Sequence, residues 1–295
     1  MGNQTAADLR VLAPGLYLVA TPIGSARDIT LRTLDILAAA DVLAAEDTRT
    51  LRKLMDIHGI ALGDRRIISF HDHNASAALP KLLEALAGEK SVAYASEAGT
   101  PLISDPGYEL TRAVIDAGLP LLSAPGPTAA IAALTLSGLP SDSFFFAGFL
   151  PNRKTKRKSA LETLRDVPGT LIFYESPKRV AAMLADAVDV FGGTRSAAVC
   201  REITKKFEET LRGDLSHVAH IAASRELKGE IVVLIGKGDL EKIREVDLDE
   251  ALKEALKAES VRDAAGHGAE RLGVKMRDAY QRALALTNSD TGEQR

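Results

Sequence analysis

Between Leu16 and Leu139 short apolar runs alternate with helix-length segments, and no other feature of the chain restricts its fold as much. Leu16–Ala20, Val42–Ala45, Ile67–Phe70, Val92–Ala95 and Leu119–Ser123 read as strands, which predicts an α/β sheet domain. The helices between them have readable limits: Asp28 or Thr30 near one start, and Gly59, Gly88 and Gly118 just past three ends. From Phe144 to Ile235 extended segments dominate: Phe144–Phe149, Thr170–Tyr174, Ala197–Cys200 and Ile231–Ile235, with two helices between them. This predicts a second α/β domain, in which Phe144-Phe145-Phe146 reads as a buried strand. Beyond a charged link near Asp239–Asp249, Val261–Leu272 and Met276–Leu286 read as helices broken at Gly273. The expected organisation is a flexible N-terminus over 1–13, α/β domains over 14–140 and 141–238, and a linker with a small helical domain over 239–295.

Several classes of function are disfavoured. The single Cys200 excludes an internal disulfide and a Cys-rich metal site, and reads as a free buried thiol in a reducing cytoplasm. No run reaches the roughly 18 apolar residues of a membrane span, and Met1–Arg10 lacks a secretory pattern, so no membrane partner is expected. Neither G-x-G-x-x-G nor the P-loop pattern occurs, which disfavours nicotinamide cofactors and nucleoside triphosphates. A formal net charge of −3 means that an RNA partner has to be held by local basic patches.

Ligands of open α/β sheets bind beyond the carboxyl ends of the strands, and here the segments after all five strands are polar or rich in Gly and Pro. They run Thr21-Pro22-Ile23-Gly24-Ser25-Ala26-Arg27-Asp28, Glu46-Asp47-Thr48-Arg49, His71-Asp72-His73-Asn74, Ser96-Glu97-Ala98-Gly99-Thr100-Pro101 with Ser104-Asp105-Pro106-Gly107, and Pro125-Gly126-Pro127-Thr128. Gly99, Gly107 and Gly126 permit close backbone approach, and Pro127-Thr128 suits a helix start whose free N–H groups meet polar ligand atoms.

These loops, together with Gly148-Phe149-Leu150-Pro151, Tyr174-Glu175-Ser176-Pro177, Arg201-Glu202-Ile203-Thr204-Lys205 and Lys228-Gly229-Glu230, resemble the small-subunit ribosomal RNA methyltransferases of the tetrapyrrole-methylase superfamily. The resemblance spans about residues 15–237, and Ser260–Leu286 is similar to the small C-terminal helical domain of that family. It implies two α/β domains of the tetrapyrrole-methylase type with S-adenosylmethionine in the cleft between them, usually in a homodimer. It further implies cytidine ribose 2′-O-methylation in the decoding region of 16S ribosomal RNA, within the small subunit. Pro22 and Gly24, Ser96 to Thr100 (Ser96, Glu97, Ala98, Gly99, Thr100), Pro125, Gly126 and Thr128, and Glu175 with Ser176 are then the expected cofactor contacts. The chain departs from the family pattern at Glu97, where Asp is usual, and at Ser25-Ala26, where Asn-Leu is usual.

A sulfonium methyl is already activated, so the protein has chiefly to align it with the attacking oxygen. A ribose hydroxyl also gains roughly 10²–10⁴-fold from a general base. Asp28, Glu46, Asp47 and His71 are candidates, with Arg49 in the Glu46–Arg49 cluster, and each has a structural alternative as a helix cap or ion-pair partner. His71-Asp72-His73 is not read as a metal site, because no third ligand is spaced nearby and methyl transfer from a sulfonium requires no Lewis acid. Arg153, Lys154, Lys156, Arg157 and Lys158 place five cations in six residues, suited to phosphate contacts, and Lys205 extends that surface. A porphyrinoid C-methyltransferase on the same fold and a noncatalytic RNA-binding module are the alternative functions.

Overall fold

The computed structural model describes residues 11–238, 240–272 and 274–292, the side chains of 240–247 and 288–292 excepted. The expectations for residues 1–10, Asp239 and Gly273 lie outside the described residues. The chain forms two compact units: one runs to Leu164 and resumes over Gly169–Gly236, and the other comprises Arg165–Pro168 and the chain from Lys237 onward.

The first unit contains two sheets. Strands β1 (Gly15–Val19), β2 (Val42–Ala45), β3 (Ile67–Ser69), β4 (Ser91–Ala95) and β5 (Leu121–Ala124) form the first, all parallel, in the order β3-β2-β4-β1-β5. A parallel strand covered on both faces is apolar throughout, and every residue of β4 is buried. Its alternate side chains feed two separate cores. Ala93 and Ala95 pack with Ile36 and Leu37 of α1 (Leu31–Ala39) and with Leu51 and Met55 of α2 (Thr48–Ile57). Val92 and Tyr94 pack with Ala78 and Leu82 of α3 (Ala75–Ala87) and with Leu110 and Val114 of α4 (Tyr108–Asp116). Of the two proposed starts for α1, Thr30 is the cap, accepting the Thr33 N–H at 3.1 Å. The last helix of this region, α5 (Ala129–Ser137), belongs to a third core: its Ala130, Ala133 and Leu134 pack on Ile172, Ala198, Cys200 and Val232 of the second sheet.

That sheet runs β6-β7-β10-β8-β9, built from β6 (Phe144–Phe149), β7 (Thr170–Glu175), β8 (Ser196–Arg201), β9 (Glu209–Asp214) and β10 (Ile231–Ile235). Only the β6–β7 pair is parallel. Three helices accompany it, α6 (Lys154–Glu162), α7 (Val180–Phe191) and α8 (Leu215–Ser224), one more than the sequence suggests. β9 is likewise absent from the sequence reading: as an edge strand it is half-exposed and polar, so its residues carry no apolar alternation. The expectation that Phe144–Phe146 is buried is corrected. β6 is the opposite edge, where Phe144 and Phe145 are each 44% exposed and only Phe146 turns inward. Cys200 is fully buried.

In the second unit α9 (Leu240–Ala255), α10 (Val261–Leu272) and α11 (Met276–Gly292) close on a core of Leu252, Ala264, Ala265, Ala279 and Ala283. The segment expected as a charged link is thus mostly helix from residue 240, because Leu248 and Leu252 supply an apolar stripe within its charges. Among the described residues, no helix is long and apolar enough to cross a membrane.

Candidate active site

The loops after β1, β4 and β5 are stitched into one surface. Thr21 and Gly99 exchange backbone hydrogen bonds of 2.9 and 3.0 Å, and the Thr21 hydroxyl donates to the Ser96 carbonyl at 3.3 Å. The Thr100 hydroxyl donates to the Pro127 carbonyl at 2.9 Å, which adds the third loop. Two glycines make this approach possible. Gly99 adopts the left-handed conformation at φ +83°, and a Cβ on Gly126 would lie 2.8 Å from the Cβ of Ala20 on the continuation of β1. The first loop also meets the second sheet, where the Ser25 N–H donates to the Thr204 hydroxyl at 3.0 Å.

Facing these loops, the second sheet completes a cleft of about 200 Å³. Ile23, Ala98, Gly99, Thr100, Asp105 and Thr128 form one wall, and Phe149, Tyr174, Glu175, Ile203, Glu230 and Val232 the other. The Tyr174 hydroxyl accepts the Ala130 N–H at 3.1 Å at the start of α5, its ring edge-on to Phe146 and Phe149, and burial raises its pKa. Glu175 is 3% exposed, accepts the Ser176 N–H at 2.7 Å and pairs with Arg179 at 3.0 Å. A small, half-apolar cleft with fixed carboxylates and close backbone suits a ligand with an apolar body and cationic and hydroxyl groups.

Of the expected cofactor contacts, Ala98, Gly99, Thr100, Thr128 and Glu175 line the cleft. Ser96 and Gly126 shape the loops behind it, Ser96 donating its hydroxyl to the Gly99 carbonyl at 3.0 Å. Pro22, Gly24, Glu97, Pro125 and Ser176 stand off the wall. Gly24 has its own constraint, since a Cβ there would lie 2.5 Å from the Thr204 hydroxyl.

The candidate bases separate by environment. Asp47 caps α2, accepting the Arg49 N–H at 2.8 Å, and its carboxylate takes two further bonds from the Arg49 guanidinium. Those Arg49 hydrogen bonds hold Asp47 down at about 2, which makes it a poor proton acceptor near neutrality. Glu46 accepts the Glu97 N–H at 3.2 Å, joining the second and fourth loops. Asp28 is exposed on a short 3₁₀ turn, Ala26–Asp28. His71 is half-buried, with its Nδ1 lacking a hydrogen-bond partner among the described residues. None of these, nor Arg49, lines the cleft. The carboxylate that does so from the first sheet is Asp105, to which the sequence assigned no role. Burial first, then Glu46 and Glu97, push its pKa up to about 7. The sequence signal was its place in a loop after a strand. The burial that distinguishes it from other acids is a tertiary property.

Helical geometry divides the basic run. Arg153, Lys154 and Lys156 are exposed, whereas Arg157 turns inward, 5% exposed, and grips Asp186 of α7 through Nε and Nη2 at 2.8 and 2.7 Å. Arg157 therefore does not face a bound polyanion as the undivided run suggested. Lys158 pairs with Asp189 at 2.6 Å, and Lys205 with Glu202 and Glu230 at 3.2 and 3.0 Å.

Known proteins match this architecture along almost the whole chain. Residues 15–219 fit the family model of Tetrapyrrole (Corrin/Porphyrin) Methylases, and residues 243–287 that of the RsmI C-terminal HTH domain. The chain is 49% identical over 290 residues, 98% of both chains, to "Ribosomal RNA small subunit methyltransferase I" of Mesorhizobium japonicum. It is 43% identical to the protein of the same name from Halalkalibacterium halodurans, over 77% of each chain. Among solved structures, the cobalamin biosynthetic enzyme cobalt precorrin-4 methyltransferase superposes with a TM-score of 0.57 at 15% identity, covering 80% of this chain and 98% of that one, a likeness of fold. With two α/β sheets around a loop-built cleft and a family match over residues 15–219, the chain belongs to the tetrapyrrole (corrin/porphyrin) methylase family.

Proposed function

We propose that this protein transfers the methyl group of S-adenosylmethionine to a cytidine ribose 2′-hydroxyl in the decoding region of 16S ribosomal RNA. The observation that carries the reading is the 49% identity over 98% of both chains to a ribosomal RNA small subunit methyltransferase. The corrin enzyme is used up by 80% of this chain, so a porphyrinoid C-methyltransferase leaves the α9–α11 unit without a purpose. On this reading the protein works in the cytoplasm as a homodimer, with 16S ribosomal RNA in the small subunit as its partner.

The cleft fits the cofactor. Gly99, Thr100, Thr128 and Ala129 offer close backbone and hydroxyl groups, Ile23, Ile203 and Val232 an apolar bed, and Glu175 and Glu230 carboxylates for a cationic group. When bound there, the cofactor supplies a methyl group that needs no further activation. The chain's own residues have to exclude water and orient the ribose, and alignment of this kind accounts for several kcal/mol of a barrier, on the order of 7 or more at best. Exposed Arg153, Lys154 and Lys156 supply phosphate contacts, so the acidic chain holds RNA through a local patch.

The test is methylation of small subunits from a strain lacking this protein, followed by alkaline hydrolysis of the RNA. A ribose methyl blocks cleavage at one cytidine. A methyl group found on a base, or transfer to a porphyrinoid and not to RNA, refutes the reading.

A further inference from the structure

Two loops leave the cleft side by side and carry groups that the cleft does not use. Ile23 lines one wall and Ile203 the other. Beyond Ile23 the first loop runs through Gly24 and Ser25 to Arg27, and beyond Ile203 the β8–β9 loop runs through Thr204 and Lys205 to Lys206 and Phe207. The loops are bonded to each other: the Ser25 N–H donates to the Thr204 hydroxyl at 3.0 Å, and a Cβ on Gly24 would meet the Lys205 Cγ at 2.6 Å. Arg27 and Phe207 each lie four residues past a wall residue, at most about 14 Å along the chain.

Both loops are firmly tied. Glu202 and Thr204 take left-handed conformations, at φ +51° and +64°. The Glu202 N–H donates to the Glu230 carbonyl at 3.0 Å, the Lys205 N–H to the Glu202 carbonyl at 2.9 Å, and the Thr204 N–H to the Glu208 carboxylate. Such strain persists where the surrounding structure over-determines it, and it concentrates at functional sites. On the first loop the His58 Nε2 donates to the Ala26 carbonyl at 2.9 Å. This frame holds a large apolar ring in water: Phe207 is 62% exposed, with the Lys206 ammonium 5.5 Å from its ring centroid. Lys206 and Arg27 are exposed and form no ion pair among the described residues, whereas Lys205 is taken up by Glu202 and Glu230. Of the loops' carboxylates, Glu202 and Glu208 are engaged and Asp28 is exposed beside Arg27.

We propose that these paired loops hold single-stranded RNA beside the cleft, with Phe207 stacked on the base of a nucleotide next to the target and Arg27 and Lys206 on the flanking phosphates. The role rests on the reading of the cleft as a ribose methyltransferase site. A nucleotide whose ribose enters a cleft is unstacked from its neighbour, and a fixed aromatic surface replaces the stacking that the neighbour loses. Because the loops are tied before RNA arrives, little ordering is lost on binding. A contact with a second copy of the chain would also cover Phe207, but it requires no cations. Two unpaired cations, each two residues from the Ser25–Thr204 bond, favour a phosphate backbone.

The experiment is single-turnover transfer from methyl-labelled S-adenosylmethionine to unmodified small subunits, with half-saturation by subunits read over a salt series. Phe207→Ala raises half-saturation roughly 5–150-fold, the loss of one stacked base, while the rate constant at saturation falls less than about threefold. Phe207→Tyr keeps the parent's half-saturation, and Phe207→Leu is weakened like the alanine variant, because stacking needs a flat ring. Arg27→Ala and Lys206→Ala each lower the log–log slope against salt by about 0.7. Cofactor affinity by calorimetry and the sedimentation coefficient of the protein alone stay at the parent's values in every variant. Half-saturation for Phe207→Ala within about threefold of the parent, a Phe207→Leu protein equal to the parent, or unchanged slopes in both cation variants overturns the assignment. So does a loss of cofactor affinity, which makes the loop part of the cofactor site, and so does a shift in sedimentation, which makes Phe207 a contact between copies. An unaltered protein that labels no ribose overturns the function reading itself, a result visible before any variant is made.

Discussion

Replacing Arg157 tests whether the basic run is one surface or two. Arg157 and Asp186 are 5% and 2% exposed and joined by two short hydrogen bonds, and the Arg157 Nη1 also donates to the Asn152 carbonyl at 3.1 Å. Arg157→Met leaves Asp186 buried with only Lys154, 3.8 Å away, in partial compensation. Breaking a buried pair from one side costs about 3–5 kcal/mol, and the residual lysine places the expected loss near 3. For a unit of this size that lowers the thermal midpoint by roughly 6–12 °C. Pairing the change with Asp186→Leu should recover most of the loss, since an apolar pair of similar volume often replaces a buried ion pair without penalty. RNA binding should respond in the opposite pattern. Arg157→Met keeps the parent's dependence of affinity on salt, while changing Arg153, Lys154 and Lys156 together to Ala lowers the log–log slope by about 0.7–0.9 for each phosphate no longer neutralised. Calorimetric unfolding and filter binding over a salt series read the two effects. An Arg157→Met protein as stable as the parent, or one whose salt slope falls like that of the exposed lysines, refutes the division of the run.

Three further outcomes are expected. Gly126→Val forces the Pro125–Thr128 loop away from Ala20, which a Cβ would approach to 2.8 Å, and should weaken S-adenosylmethionine binding in a calorimetric titration while the protein stays folded. Asp47 is held at about 2, below its ordinary 3.8, so its contribution to stability is complete above pH 3.8 and disappears as pH falls through 2. Denaturation of the parent and Asp47→Asn should therefore differ near neutrality and converge in acid; a difference independent of pH would exclude the Arg49 bonds as its source. Cys200 is fully buried and its pKa is raised chiefly by that burial, so the native protein should resist a thiol reagent and react once per chain after unfolding.

Reading the chain without its structure succeeds where local chemistry and burial coincide. The central strands of the first sheet are largely apolar because helices cover both of their faces, and Val42–Ala45 is bounded identically in sequence and structure. The loops after those strands could be located as a site because a parallel sheet places every carboxyl end on one edge. The edge strands resisted the same reading for the converse reason. β9 is polar because solvent covers it, and Phe144 and Phe145 are apolar despite exposure, so residue type and burial part company there. The direction of Arg157 depended on where α7 places Asp186, 29 residues away in sequence. Asp105 is the sharpest case: Glu46, Glu97 and Asp105 are three ordinary acids along the chain. Only the pairing of β2 with β4 brings their loops together, and the second sheet closes over the cleft. The sequence by itself determined which segments are strands buried on both faces and which edge carries the chemistry, since both follow from local composition and strand order. Tertiary structure alone decided which charges are buried, paired or poised, because the energy of a charge depends on surroundings that arrive from distant parts of the chain.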